Sequence, residues 1–217
     1  MMLTLLAEPS LAVETQSLQT PRYGGTLRIP SYGTPAPLDP FNVTDTISSS
    51  LFDLIFSKLV RWNMKDGFQD NFEGDLAESW MVSQDGLTYT FYLRKGVKFH
   101  DGTPCTAEDV AYSFKLFSDP VVSPTYYRYF EKVEKWEILS DSVFRVKLKE
   151  PFSPFLFVIF KIRILPKHKL LNINRNLKSF IANPIGTGAF RFSRTTGGPE
   201  YRVAPATKIW PNRLAPD

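Results

Sequence analysis

The sequence predicts a mixed α/β fold, and three stretches carry that prediction. Leu87, Tyr89, Phe91 and Leu93 alternate with Thr88, Thr90, Tyr92 and Arg94, a period of two that makes a strand with one apolar and one polar face. Thr106 followed by Asp109 has the spacing of a capping box, and Val110, Phe114 and Phe117 then fall on one helical face. Residues 133–139 and 143–148 read as two strands joined by the turn Ser140-Asp141-Ser142, with Phe144, Val146 and Leu148 on one face.

Composition sets the frame for these elements. A chain of 217 residues, 43% apolar and 22% charged, has enough apolar material for a sizeable core in one or two domains. The net charge of +4 is mild, and no basic run sits beside stacking aromatics, which argues against a nucleic-acid groove. Cys105 is the single cysteine, so no intramolecular disulfide forms. No apolar run is long enough to span a bilayer; residues 152–165 are interrupted by Pro154, Lys161 and Arg163. Residues 1–22 read as a leader or flexible tail. Their apolar run is short and lacks a basic n-region, so they make an unconvincing signal peptide.

Taken in order, residues 25–30 form a short strand and residues 31–40, rich in Pro, Gly and Ser, form a loop. A helix starts at Thr44 or Asp45, with Ile47, Leu51, Leu54, Ile55 and Leu59 as its buried face, and leads into a strand at residues 59–62. Asp85-Gly86 and Lys95-Gly96 bracket the central strand as turns, and residues 101–104 make another turn before the capped helix. Glu108 and Asp109 suit that helix's positive end. Asp119-Pro120 and Ser123-Pro124 mark a loop, followed by Tyr126, Tyr127 and Tyr129, which offer aromatic area for a ligand or for packing. Arg145, Lys147 and Lys149 make a solvated face that discourages edge pairing. Ser153 and Pro154 read as N-cap and first helical residue of the helix at 155–160.

Catalytic chemistry finds no support. The chain has no G-x-S-x-G, S-x-x-K or H-E-x-x-H motif and no P-loop, and the Gly186-Thr187-Gly188 run has Arg191 where a dinucleotide fingerprint needs glycine. His100, His168 and Cys105 are too few and scattered for a zinc-type site. The histidines read as structural hydrogen-bonders, and the Glu108-Asp109 pair is accounted for by capping.

Four blocks in order, LAESW (76–80), DGLTYTF (85–91), LRKGVKFHDGTP (93–104) and TAEDV (106–110), resemble the signature region of the family 5 solute-binding proteins. These are extracytoplasmic receptors of ABC importers for oligopeptides, dipeptides and nickel. GGTLR at 24–28, LVRW at 59–62, ILPKH at 164–168 and NPIGTG at 183–188 extend the resemblance, with Ala189 in place of the family's proline before Phe190. The resemblance implies a periplasmic-binding-protein-like (type II) α/β fold. It implies that this chain holds an incomplete lobe one, from residues 23–45 and 181–217, an inserted α+β subdomain at residues 46–180, and no second lobe. On that expectation, half a cleft binds ligand weakly by itself.

The implied function is extracytoplasmic or periplasmic capture of a peptide or similar small solute for an ABC transporter. The expected partners are the solute and the permease subunits, with membrane association only through the transporter and no nucleic acid. No cofactor, metal or catalytic residue is implied. The open alternative is a sensor module or degenerate fragment that uses the same scaffold for protein contacts. Tyr32, Gly33 and Thr34, in the loop that the family places beside its cleft, are the first ligand-binding candidates, joined by Trp62, Tyr126 and Tyr127.

Overall fold

A four-stranded antiparallel sheet with one helix across its apolar face organises the chain. The computed structural model describes residues 32, 36–43, 45–63, 72–193 and 202–205, all within the unit Tyr32–Asp217. The predicted strand at 25–30 and the tail at 1–22 lie outside the described residues. The elements are α1 (Thr46–Ile55), β1 (Val60–Trp62), β2 (Phe72–Gly74), β3 (Ala77–Val82), β4 (Thr88–Leu93), α2 (Ala107–Phe117), β5 (Val133–Ser140), β6 (Val143–Leu148), α3 (Phe155–Lys161), α4 (Lys167–Leu170), α5 (Ile173–Ala182), β7 (Phe190–Ser193) and β8 (Arg202–Pro205). A 3-10 turn, Tyr127–Phe130, precedes β5.

The sheet runs β3-β4-β6-β5, all antiparallel. Phe91 sits opposite Phe144, and Tyr89 opposite Val146. That register puts the apolar alternates of both central strands on one face, where all four are buried. Phe114 of α2 packs edge-on against Phe130, Trp136 and Phe144, with centroids 5.3, 5.8 and 4.9 Å away. Such aromatic pairs add about 0.5–1.5 kcal/mol each beyond area burial. On the other face Lys147 pairs with Glu134 (2.9 Å) and Arg145 lies 4.0 Å from Glu137. These partly exposed pairs contribute roughly 0–1 kcal/mol each and keep the face solvated.

The capping box forms as predicted. The Thr106 side chain accepts from the Glu108 amide (3.3 Å), and Asp109 Oδ2 accepts the Thr106 N–H (2.9 Å). Asp109 Oδ1 also accepts the main-chain N–H of Lys167 (3.0 Å), and one turn on Ser113 Oγ accepts that of Leu165 (2.8 Å). The helix start thus also holds the segment before α4.

Three expectations are corrected. The inward line of α1 is Ser48, Phe52 and Ile55, while Ile47, Leu51 and Leu54 are only half-buried. Ser48 replaces an apolar residue on that line because its hydroxyl accepts the Ala36 N–H (3.0 Å). Leu59 is buried beyond the helix end. At α3, Ser153 makes no cap: Pro154 holds the N-cap position, and no side-chain oxygen reaches the helix amides. Lys149 lies one residue past β6 and donates to the Glu131 carbonyl (2.8 Å) rather than extending the strand face.

Candidate functional site

Two places in the fold gather the residues a ligand could use. The first is an aromatic corner where α1 hands over to β1. Val60 pairs with Gly74 and Trp62 with Phe72, and a Cβ on Gly74 would fall inside the Ala77 carbonyl oxygen, so only glycine lets the chain turn there into β3. Trp62 meets Phe72 edge-on at 5.1 Å and Phe160, near the end of α3, at 6.2 Å; Phe72 and Phe160 are 6.0 Å apart. All three are only half-buried. The corner therefore offers a partly exposed aromatic surface, with the Trp62 indole N–H buried beneath it.

The second place is the loop between α5 and β7. Its glycines are required by close approach. Gly188 N–H donates to the Ile55 carbonyl at the end of α1 (2.7 Å), and a Cβ at Gly186 or Gly188 would lie well inside contact distance of that same oxygen. Ser57 Oγ donates to the Thr187 carbonyl (3.2 Å). His100 holds the loop from the opposite side: its Nδ1 accepts the Gly186 N–H (3.2 Å) and its Nε2 faces the Gly188 carbonyl at 3.0 Å. A carbonyl only accepts, so the arrangement assigns the hydrogen to Nε2. His168 lies in α4 and meets Asp101 (2.8 Å). Burial would raise the Asp101 carboxyl, but the bonds from His168, the Thr103 amide and Lys169 outweigh it and hold the group far below the usual carboxylate range.

The structure scatters the predicted ligand residues. Tyr32 stands fully exposed. Gly33 and Thr34 lie outside the described residues. Trp62 belongs to the aromatic corner. Tyr126 is 7% exposed, packs edge-on against Phe117 at 5.6 Å and donates its hydroxyl to the Val43 carbonyl (3.3 Å), so it anchors the loop that carries it. Tyr127 is half-buried, and its hydroxyl accepts from Arg128 Nε (3.2 Å). Lys58 and Arg163, both buried, were not among the predicted site residues. The available signal was a cation inside an apolar run: Lys58 within IFSKLV and Arg163 between Ile162 and Ile164. Among the described residues no group of three His, Cys, Asp or Glu side chains could hold a metal ion, and no helix is long and apolar enough to cross a membrane.

Comparison with known proteins places this geometry. Residues 71–215 match the family described as bacterial extracellular solute-binding proteins, family 5 Middle. The chain is 30% identical over 156 residues to the glutathione-binding protein GsiB of Shigella boydii, covering 70% of this chain and 29% of that protein. It is 32% identical over 145 residues to a putative ABC transporter peptide-binding protein of Brucella ovis, covering 61% and 27%. Among solved structures it resembles NikZ of Campylobacter jejuni in complex with Ni(L-His), with a TM-score of 0.69, 34% identity, and 81% of this chain and 34% of that one covered. It also resembles the periplasmic binding protein DppA of Helicobacter pylori in complex with the peptide STSA, with a TM-score of 0.69, 30% identity, and 82% and 38% covered. The fold is accordingly of the periplasmic-binding-protein type II class, and the chain spans about 29% of the length of GsiB.

Proposed function

This chain belongs to the bacterial extracellular solute-binding proteins of family 5, and from that membership we propose that it takes part in extracytoplasmic capture of a peptide or similar small solute for an ABC transporter. The observation that carries the reading is the family match over residues 71–215, on a fold shared with a receptor solved around a peptide. The role is binding rather than catalysis. The partners are the solute and the transporter's permease subunits.

The chemistry of these separate residues fits such a role. A receptor for varied peptides needs rigid aromatic area that costs little side-chain entropy and donors that do not demand one side chain. Trp62 supplies the aromatic area, with Phe72 and Phe160 holding its ring. Tyr32 stands exposed and is free to reach a ligand, and Tyr127 presents a hydroxyl tied only to Arg128. Tyr126 contributes by fixing the position of Tyr127.

The test has two arms. Isothermal titration of the purified receptor that carries this sequence, against di-, tri- and tetrapeptides and glutathione, is expected to give saturable heats with Kd at or below about 1 μM for at least one class. Deleting the gene is expected to lower uptake of that same class. A receptor silent across the whole panel, with peptide uptake unchanged by the deletion, overturns the reading.

A further inference from the structure

Arg163 is 4% exposed and Lys58 7%, and an isolated antiparallel bridge pairs the two residues. Residues paired in this way point their side chains to the same side. The Arg163 guanidinium lies 4.7 Å from the centre of the Phe52 ring, and Lys58 Nζ lies 4.1 Å from that of Phe160. The two buried cations therefore sit side by side on aromatic walls. A ring face offers a cation weak attraction and no hydrogen-bond acceptor.

Two carboxylates, Asp53 and Asp75, lie close to the pair. Asp53 Oδ1 pairs with Lys58 Nζ at 2.8 Å, and its own side chain is half exposed. Asp75 turns Oδ2 to the main-chain N–H of Lys58 (2.8 Å). Neither reaches Arg163 Nε or Nη1, which are fully buried with no hydrogen-bond partner. The buried indole N–H of Trp62, packed on the ring that Lys58 covers, has none either. Burial drives the Lys58 ammonium below its ordinary value, and the nearby Arg163 charge adds to that fall. A guanidinium cannot escape in this way, because it does not deprotonate in proteins. A buried guanidinium whose N–H donors are unmet is costly to the fold.

We propose that Arg163 anchors a buried carboxylate-binding site, with Lys58 beside it and the Trp62 indole N–H as a neighbouring donor. A carboxylate fits because it is acceptor-only, planar and matched to a guanidinium. The unmet guanidinium N–H donors on an aromatic wall favour an acceptor-only oxyanion over a neutral amide, which brings donors of its own. The inference does not depend on the transport reading: its probe is a simple carboxylate, and its readout is stability.

The experiment is thermal melting of the purified receptor that carries this sequence, in sodium acetate against sodium chloride at equal ionic strength. The wild type is expected to show a saturable rise in Tm with acetate, as mass action requires of a ligand for the folded state. Arg163→Met is expected to lose that rise and, in chloride, to melt above the wild type, because it replaces a buried guanidinium whose donors are unmet with an apolar chain of similar length. Trp62→Phe is expected to retain only part of the rise. Should the methionine variant not fold, Arg163→Lys, which keeps the charge but not the fork, is expected to cut the acetate response. Three outcomes overturn the proposal: identical melting of the wild type in both salts, an acetate rise retained in full by an Arg163 variant, or an acetate-insensitive wild type that melts above Arg163→Met, which would mean an acidic group of the protein already pairs the guanidinium.

Discussion

His100 and Gly186 are bonded to each other in both directions. The main-chain N–H of His100 donates to the Gly186 carbonyl (3.0 Å), and the Gly186 N–H donates to His100 Nδ1 (3.2 Å). Residues 86 positions apart are thereby locked as a pair, and Nε2 extends the hold to Gly188. His100→Ala keeps the main-chain bond but leaves the Gly186 N–H and the Gly188 carbonyl without their side-chain partner. The expected cost is about 1–3 kcal/mol, read as a lower urea midpoint at unchanged m value.

Gly186 and Gly188 are limited by space rather than by backbone angle. A Cβ at either would overlap the Ile55 carbonyl, which is main chain and cannot swing aside. Gly188→Ala should therefore destabilise by more than about 3 kcal/mol. Gly102→Ala tests a different cause: nothing lies within 4 Å of its Cβ, but its φ is +88°. Its cost should be smaller, about 1–2 kcal/mol. Chemical denaturation of the two variants side by side checks the order.

Asp101 should contribute to acid sensitivity. Its folded pKa lies below the ordinary 3.8, so its contribution is present above about 3.8 and is lost as pH falls through the folded value. Asp101→Asn removes that dependence. The variant should be less stable than wild type at pH 7, and the gap between the two stability curves should narrow progressively as pH falls below 3.8. Curves that stay parallel down to pH 2 would show that the His168 and Lys169 contacts contribute nothing.

Lys58 carries the opposite kind of signal. Its folded pKa is depressed by burial, so the unfolded chain binds its proton more tightly, and stability rises with pH towards the ordinary lysine value of 10.5. Lys58→Met lacks this term. The wild type should gain on the variant as pH climbs from 8 towards 10.5, measured by urea unfolding in matched buffers. A difference independent of pH would mean that the ammonium is not desolvated.

Trp62 offers a direct optical test of the aromatic corner. If solute lies against it, a binding peptide should change the tryptophan emission of the receptor, and Trp62→Phe should remove most of that change. The same substitution should weaken affinity by about 5–20-fold, since phenylalanine offers a solute less aromatic area than the indole. An unchanged affinity would move the solute away from β1.

Much of this fold was legible in the linear chain because its signals are local. The alternation in residues 87–94, the capping box at Thr106 and Asp109, and the hairpin at residues 140–142 each act within a few residues, where side-chain period and cap chemistry decide the backbone. The spaced blocks around them were enough to indicate the family. Other features depended on partners distant in sequence. Leu51 and Leu54 yielded the buried line of α1 to Ser48 and Phe52 because the chain at Ala36 supplied an amide for the serine. Tyr126 went to the core because Phe117 and Val43 lay beneath it, a contact between residues 83 positions apart. Arg163 read only as a break in an apolar run, and its place beside Lys58 was settled by a bridge between two segments about a hundred residues apart. The strands, the capped helix and the family all follow from local periodicity and motif order, which the linear chain carries in full. Which aromatics enter the core and which cations are buried together emerges only in the folded molecule, because burial is set by the packing of segments that the linear order keeps apart.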